Sequence, residues 1–245
     1  MRIVVLVLII YCQPVYGHTA QDRKDSVIYF NGFFRSELDP ERIQYYGIPK
    51  KIKDKLYEVD FYTLDTMLVA TGEYKRKNCK RRNGVFVLYN SVGKIIVTAN
   101  YRKGTLNGVY QKFYDSGLLS DSGKINRGNF IGLWKSWHFN GQPKEIRFYE
   151  MAKGIRGIQF SILTNEYKSY FINGALKDSG YFRNNRKQGV WVELLENGSV
   201  RSVGEYKHGW RKGSWRFYDK NGKLLYLRRY NSLKYDDVGE RIEIK

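Results

Sequence analysis

The chain has 245 residues, 16% of them aromatic, with 21 tyrosines, 24 glycines and only 4 prolines. That aromatic content excludes a disordered chain, and tyrosines with evenly spread glycines point to short strands and tight turns rather than helices. A formal charge of +19 selects anionic partners (nucleic acid, an anionic lipid or lipopolysaccharide surface, an acidic protein) and says nothing about fold.

The chain opens as a secretory signal peptide would. Arg2 precedes an unbroken apolar run from Ile3 to Ile10, and Val15 and Gly17 supply small residues before a cut at His18. Residues 1–17 are therefore expected to be removed. The run is far shorter than the roughly 20 apolar residues that cross a bilayer, so an uncleaved anchor is not expected. Tyr11 stands where a lipoprotein cysteine at Cys12 would need a small neighbour. The chain is thus expected to be exported: periplasmic, cell-envelope-associated or extracellular. Cleavage would leave Cys79 as the single cysteine, and hence no disulfide framework. Residues 18–56 carry Pro40 and Pro49, fit no period, and are expected to form an N-terminal cap or a loosely ordered lead.

From residue 57 to 235 a repeat governs the chain. Gly84, Gly108, Gly132, Gly189 and Gly213 are each followed nine residues later by a second glycine: Gly93, Gly117, Gly141, Gly198 and Gly222. Gly174 belongs to the same second series. Counting back from it puts Asn165 in the first glycine's place and leaves residues 157–164 as an insertion, read as an extra strand or a longer hairpin arm. Two residues after the first position comes an aromatic: Phe86, Tyr110, Trp134, Tyr167, Trp191, Trp215. The Asn-Gly pairs at 140–141, 173–174, 197–198 and 221–222 predict two-residue hairpin turns with both residues at positive φ. Residues 57–83 read as a worn first repeat, with Asp60-Phe61-Tyr62 and Gly72-Glu73-Tyr74. Residues 236–245 read as a C-terminal edge strand or tail. A lone hairpin cannot bury its aromatic face, so neighbours must stack. The expected fold is all-β: an elongated array of about seven antiparallel hairpins of ~24 residues, forming a twisted single-layer sheet or solenoid.

The unit, carried by GLWKSWHFNGQPK, GVWVELLENGSVRSVGEYKHGWRKG and SWRFYDKNGKLL, resembles the MORN repeat. In its 24-residue form it is most similar to exported bacterial proteins of the YwqK-type antitoxin family. The resemblance implies a binding protein, with no catalytic residues to transfer and no cofactor.

The residues themselves suggest no catalyst. His138 and His208 stand apart from cysteines and carboxylates, no phosphate-cradling glycine loop occurs, and Glu58 and Asp60 read as a solvated strand face. Cys79, inside Lys75-Arg-Lys-Asn-Cys-Lys-Arg-Arg82, is read as an exposed cysteine whose thiolate the surrounding cations favour, with an intermolecular disulfide as its sharper role. The connections between repeats carry the strongest signal. They hold Lys75, Arg76, Lys77, Lys80, Arg81, Arg82, Arg102, Lys103, Arg127, Lys153, Arg156, Arg183, Arg186, Lys187, Lys207, Arg211 and Lys212, with no acid among residues 75–83, 102–107, 126–131, 151–156, 182–188 or 207–212. Alternate turns of a hairpin array lie on opposite edges, so these residues are the candidate contacts to an anionic partner along one edge. The functions this leaves are a binding or scaffold module at the cell envelope, an antitoxin or immunity-type protein, a nucleic-acid binder and a polysaccharide enzyme. Export argues against nucleic acid, and no residue constellation supports the enzyme.

Overall fold

A computed structural model describes residues 27–231 and 240–243, with side chains up to residue 231. The expected signal peptide lies outside the described residues. Within them the chain is a 17-stranded sheet. The strands are β1 (Ile28–Phe30), β2 (Tyr45–Lys53), β3 (Leu56–Thr63), β4 (Leu68–Tyr74), β5 (Arg82–Tyr89), β6 (Ile95–Arg102), β7 (Thr105–Phe113), β8 (Leu119–Asn126), β9 (Asn129–Trp137), β10 (Pro143–Lys153), β11 (Gln159–Tyr170), β12 (Leu176–Arg183), β13 (Arg186–Leu194), β14 (Val200–Lys207), β15 (Trp210–Tyr218), β16 (Leu224–Tyr230) and β17 (Glu240–Glu243). Each strand pairs antiparallel with the next, so spatial order is chain order. Residues 45–53, which fit no period, form β2 against β3. Pro49 falls past the end of β1, where that side of β2 has no partner among the described residues and proline is tolerated.

The repeat's first glycine marks a bulge. Ser179 faces Val192 and Tyr181 faces Gln188, so one residue of β12 opposes three of β13, with Gly189 at φ 70° among them. The same slip recurs at Gly84, Gly108, Gly132 and Gly213. Asn165 takes the position at φ 61°, a conformation asparagine tolerates better than most residues.

The bulge turns each aromatic back over the preceding strand. The indoles of Trp134, Trp191 and Trp215 lie on Gly123, Gly180 and Gly204, where an added Cβ would sit 2.3 Å from the ring. Each indole Nε1 donates to the carbonyl of the next residue, Lys124, Tyr181 or Glu205, at 3.1–3.2 Å. Trp191 and Trp215 are thereby completely buried in a single layer, with Tyr206 and Tyr230 packed edge-on. Buried Ser202 and Ser169 share this face and donate to Glu193 and Asp178, both at 2.7 Å.

The N-terminal end is covered differently. The loop between β1 and β2 folds over the sheet, and Phe34 stacks on Tyr45 and meets Phe61 and Phe86 edge-on. Phe30, Val59, Phe61, Ala70, Tyr74, Cys79 and Phe86 form one buried cluster beneath it.

Two expectations are corrected. The Asn-Gly pairs are not two-residue turns: Gly141 donates to His138 O, and His138 in turn to Gln142 O, with Gly141 at φ 84° and Asn140 not in the left-handed region. These are longer loops built on a turn that ends in a left-handed glycine. The two-residue turns with both residues at positive φ are the basic ones: Lys103-Gly104, Arg127-Gly128, Asn184-Asn185 and His208-Gly209. Cys79 is also not exposed. It is buried at 1%, its Sγ donates to Lys77 O at 3.2 Å, and burial pushes its thiol up to about 12. Desolvation of the thiolate outweighs the neighbouring cations, which point outward to water, and a buried thiol has no route to a second chain.

Candidate anion-binding edge

Connections that leave the even-numbered strands from β2 to β14 emerge on one long edge of the meander, and those that leave odd-numbered strands on the other; on the first edge the β2–β3 turn carries Asp54. The acid-free segments belong to the first set without exception. Lys75, Arg76, Lys77, Lys80 and Arg81 occupy the β4–β5 loop. Arg102 and Lys103, Arg127, Lys153 and Arg156, Arg183 and Arg186, and Lys207 follow at successive turns, all exposed. Turns on the opposite edge mix signs, with Asp115, Glu196 and Asp219 beside Lys94, Lys220 and Lys223.

The edge is built rather than frayed. The amides of Gly104, Gly128 and Gly209 donate across to Arg82 O, Leu106 O and Lys187 O of the preceding repeat at 2.8–2.9 Å, and Asn185 N does the same to Leu163 O. Side-chain amides add to this. Asn83 Oδ1 accepts from Lys103 N, and Gln188 Oε1 from His208 N. Between neighbouring turns run shallow clefts. One of about 500 Å³ is lined by Lys75, Arg76, Asn78, Lys80, Arg81, Asn83 and Lys103. Another is lined by Arg102, Lys103, Thr105, Asn107, Asn126 and Arg127, and a third by Arg183, Asn184, Arg186, Gln188 and His208. Each offers cations and amide donors and no carboxylate.

Two features of this edge run against local stability. Lys103, Arg127 and His208 sit at φ 49–54°, where glycine or asparagine would be less strained. Arg183 and Arg186 are direct cross-strand partners, a like-charge pair that disfavours the hairpin. Same-edge turns are separated by two strand spacings, roughly 10 Å, close to a Debye length at physiological salt, so the row repels itself only partly screened. Among the described residues, the ion pair of Arg211 with Glu193 at 3.6 Å is the one that involves any of the seventeen candidate cations.

Not all the candidates are edge residues. Arg82, Lys187 and Arg211 turn onto the aromatic face. Arg82 lies 4.3 Å from the Phe86 ring centroid, Lys187 4.0 Å from Trp191, and Arg211 4.3 Å from Trp215. Arg82 also donates to Tyr101 Oη at 2.9 Å and Arg211 to Tyr230 Oη at 3.0 Å. Burial lowers the Lys187 pKa. Lys212 is half-buried on the opposite face, across from Glu205. Sequence reasoning missed His208 and the amides Asn83, Asn184 and Gln188. The signal was present in the Lys-Gly, Arg-Gly and His-Gly pairs, which share one phase of the repeat. The repeat glycines and Trp134, Trp191 and Trp215 are accounted for by turns, bulges and burial. Among the described residues no cluster of three or more His, Cys, Asp or Glu could hold a metal, and no helix is long and apolar enough to cross a membrane.

Residues 131–151 and 211–232 match the family model described as MORN repeat variant. No curated protein matches. The solved structure called "Crystal Structure of TcdB2-TccC3-TEV" is similar at 10% identity over 88% of this chain and 14% of that chain, with a TM-score of 0.19. The chain thus spans a small part of that much longer one, and a likeness at this level carries no argument. The repeat match, with the hairpin array, supports a binding or scaffold role.

Proposed function

We propose that this protein is an exported, non-enzymatic binding module whose basic edge docks on an anionic surface of the cell envelope, such as lipid head groups or lipopolysaccharide. The observation that carries the reading is the edge itself. Six successive connections, from β4–β5 to β14–β15, accumulate cations along one side of the sheet, carry no acid, and hold lysine, arginine and histidine in left-handed positions that glycine would fill at lower cost. Each basic residue near an anionic surface contributes on the order of 1 kcal/mol and weakens with salt. A dedicated protein partner would need an aromatic anchoring patch. The exposed aromatics instead are scattered, Phe33 and Phe139 in loops and Tyr181 and Trp210 on β12 and β15.

The test is a cross-linked pull-down of the tagged protein from its own cells, washed at low and at high salt. Lipid or lipopolysaccharide released as salt rises is the expected result. A single protein held in stoichiometric amount at high salt would overturn the reading in favour of a partner of the antitoxin or immunity kind.

A further inference from the structure

The one break in the repeat period has a geometry of its own. The inserted residues lengthen β10 and β11 into an arm on the basic edge. Gly132 of β9 pairs with Tyr149, after which β9 and β10 share no further register. On the other side, Asn185 of the neighbouring turn is tied to Leu163 by its amide and its side chain, and Leu163 pairs with Tyr149. Beyond that level the arm has no strand partner outside itself and continues through Glu150↔Ile162, Met151↔Ser161, Ala152↔Phe160 and Lys153↔Gln159, while the β8–β9 hairpin runs on beside it to its own turn at Arg127-Gly128. Four residues of strand project it roughly 13 Å past the β12–β13 turn.

The tip of this arm is apolar in the wrong place for a soluble loop. Ile155 is 89% exposed, Ile158 66% and Phe160 42%. Lys153 and Arg156 flank them and are exposed, with no acid from Met151 to Ser161. The turn is defined, closed by Gly154 N to Ile158 O at 2.8 Å, with Arg156 at φ 63°. At the arm's root, Tyr149 packs against Phe130 and Trp134, which fixes its exit from the sheet.

We propose that this arm is a membrane-insertion tip: Ile155, Ile158 and Phe160 enter the acyl boundary of an anionic bilayer while Lys153 and Arg156 meet its phosphates. The proposal rests on the reading of the edge as an envelope-docking surface, and it commits that surface to lipid. The pairing of apolar tip with adjacent cations is what an interface between hydrocarbon and anionic head groups rewards. A polyanion or an acidic protein would engage the cations and leave the isoleucines in water.

The experiment is co-sedimentation of the full chain with vesicles of one part phosphatidylglycerol to three parts phosphatidylcholine, and with phosphatidylcholine alone, across a salt series. Wild type is compared with the double variant Ile155→Asn, Ile158→Asn. Both side chains are solvent-exposed, so near-ultraviolet circular dichroism should be unchanged by the substitutions. Wild type is expected to bind the anionic vesicles with a component that survives high salt. The variant should lose about tenfold per isoleucine and wash off completely as salt rises. Equal binding of variant and wild type at every salt concentration would overturn the tip and leave the electrostatic edge standing. Failure of wild type to bind anionic vesicles would overturn both. Equal wild-type binding to neutral vesicles would support the tip and sink the edge.

Discussion

The two ends of the sheet bury aromatic rings by opposite means. At the N-terminal end Phe61 and Phe86 lie beneath a second layer, the loop that carries Phe34. At the C-terminal end Trp191 and Trp215 have no second layer among the described residues. Each lies along the sheet over a glycine, with a cation above it and tyrosines at its edges. Covering relies on contacts far apart in sequence, such as Tyr74 Oη to Phe34 O and Arg82 to Phe33 O. Tiling uses partners ten residues apart, as in Trp215 to Glu205 O. A tiled sheet can therefore be extended by copying one repeat, whereas the covered end has to be specified once.

The largest expected effect separates the two directly. Trp191→Ala should cost about 3–5 kcal/mol, and amide exchange should accelerate over β12–β16 while β2–β5 keep their protection, because a repeat array transmits contacts only to neighbours. Phe61→Ala should cost a similar amount and release β1 and its loop along with β4 and β5. Uniform loss of protection in both variants would mean that the sheet is one cooperative unit. Next in size is Gly204→Ala. A Cβ there would meet the Trp215 indole at 2.3 Å, so the ring must leave its place and stability should fall by about 1–3 kcal/mol in urea unfolding. Gly198→Ala, in an open turn with nothing within 4 Å, tests the conformational part alone, since its φ is 83°.

Smaller still is the removal of the cations. Arg211→Met should cost about 1–2 kcal/mol through the lost contacts to Trp215 and the Tyr230 hydroxyl. Arg82→Met should cost at least as much, since Arg82 bridges Phe86, Tyr101 and the Phe33 carbonyl of the covering loop.

Arg82, Lys187 and Arg211 read from the sequence as edge residues yet lie over aromatic rings. Lys187 stands four residues before Trp191, which in a straight strand would place it roughly 13 Å away. The bulge at Gly189 folds the indole back toward it, and the Lys187 ammonium lies 4.0 Å from the Trp191 ring centroid. The period, the six aromatic positions and the substitution at Asn165 were legible because they are local and recur. The tight turns were assigned to Asn-Gly rather than to the basic pairs because composition alone does not tell a two-residue turn from a longer one that ends in a left-handed glycine. Cys79 was misread because what buries it is a loop some forty residues earlier, outside the repeat. The sidedness of the basic segments, by contrast, follows from counting strands.

The smallest expected effect is alkaline. Burial pushes Cys79 at the covered end and Tyr167 in the tiled array up to about 12 each, Tyr167 with help from Glu145. Their unfolded counterparts ionise at lower pH, near the ordinary values of about 8.5 and 10. Above those values the unfolded state binds fewer protons than the folded one, so stability falls as pH rises toward about 12. Urea midpoints should decline from about pH 8 to about pH 11, and Cys79→Ala should flatten the early part of the decline. In native protein near neutral pH, Cys79 should also resist thiol reagents that label it after unfolding.

Position, rather than net charge, is what would make the basic edge a docking surface. The direct measurement is the affinity of two triple variants of equal net charge for anionic vesicles. One is Lys103→Glu, Arg127→Glu, Arg186→Glu on the basic edge, and the other is Lys94→Glu, Lys220→Glu, Lys223→Glu on the opposite edge. The first should lose most of its binding and much of its salt dependence, while the second stays close to wild type. Equal loss in both would reduce the edge to a share of an overall positive charge.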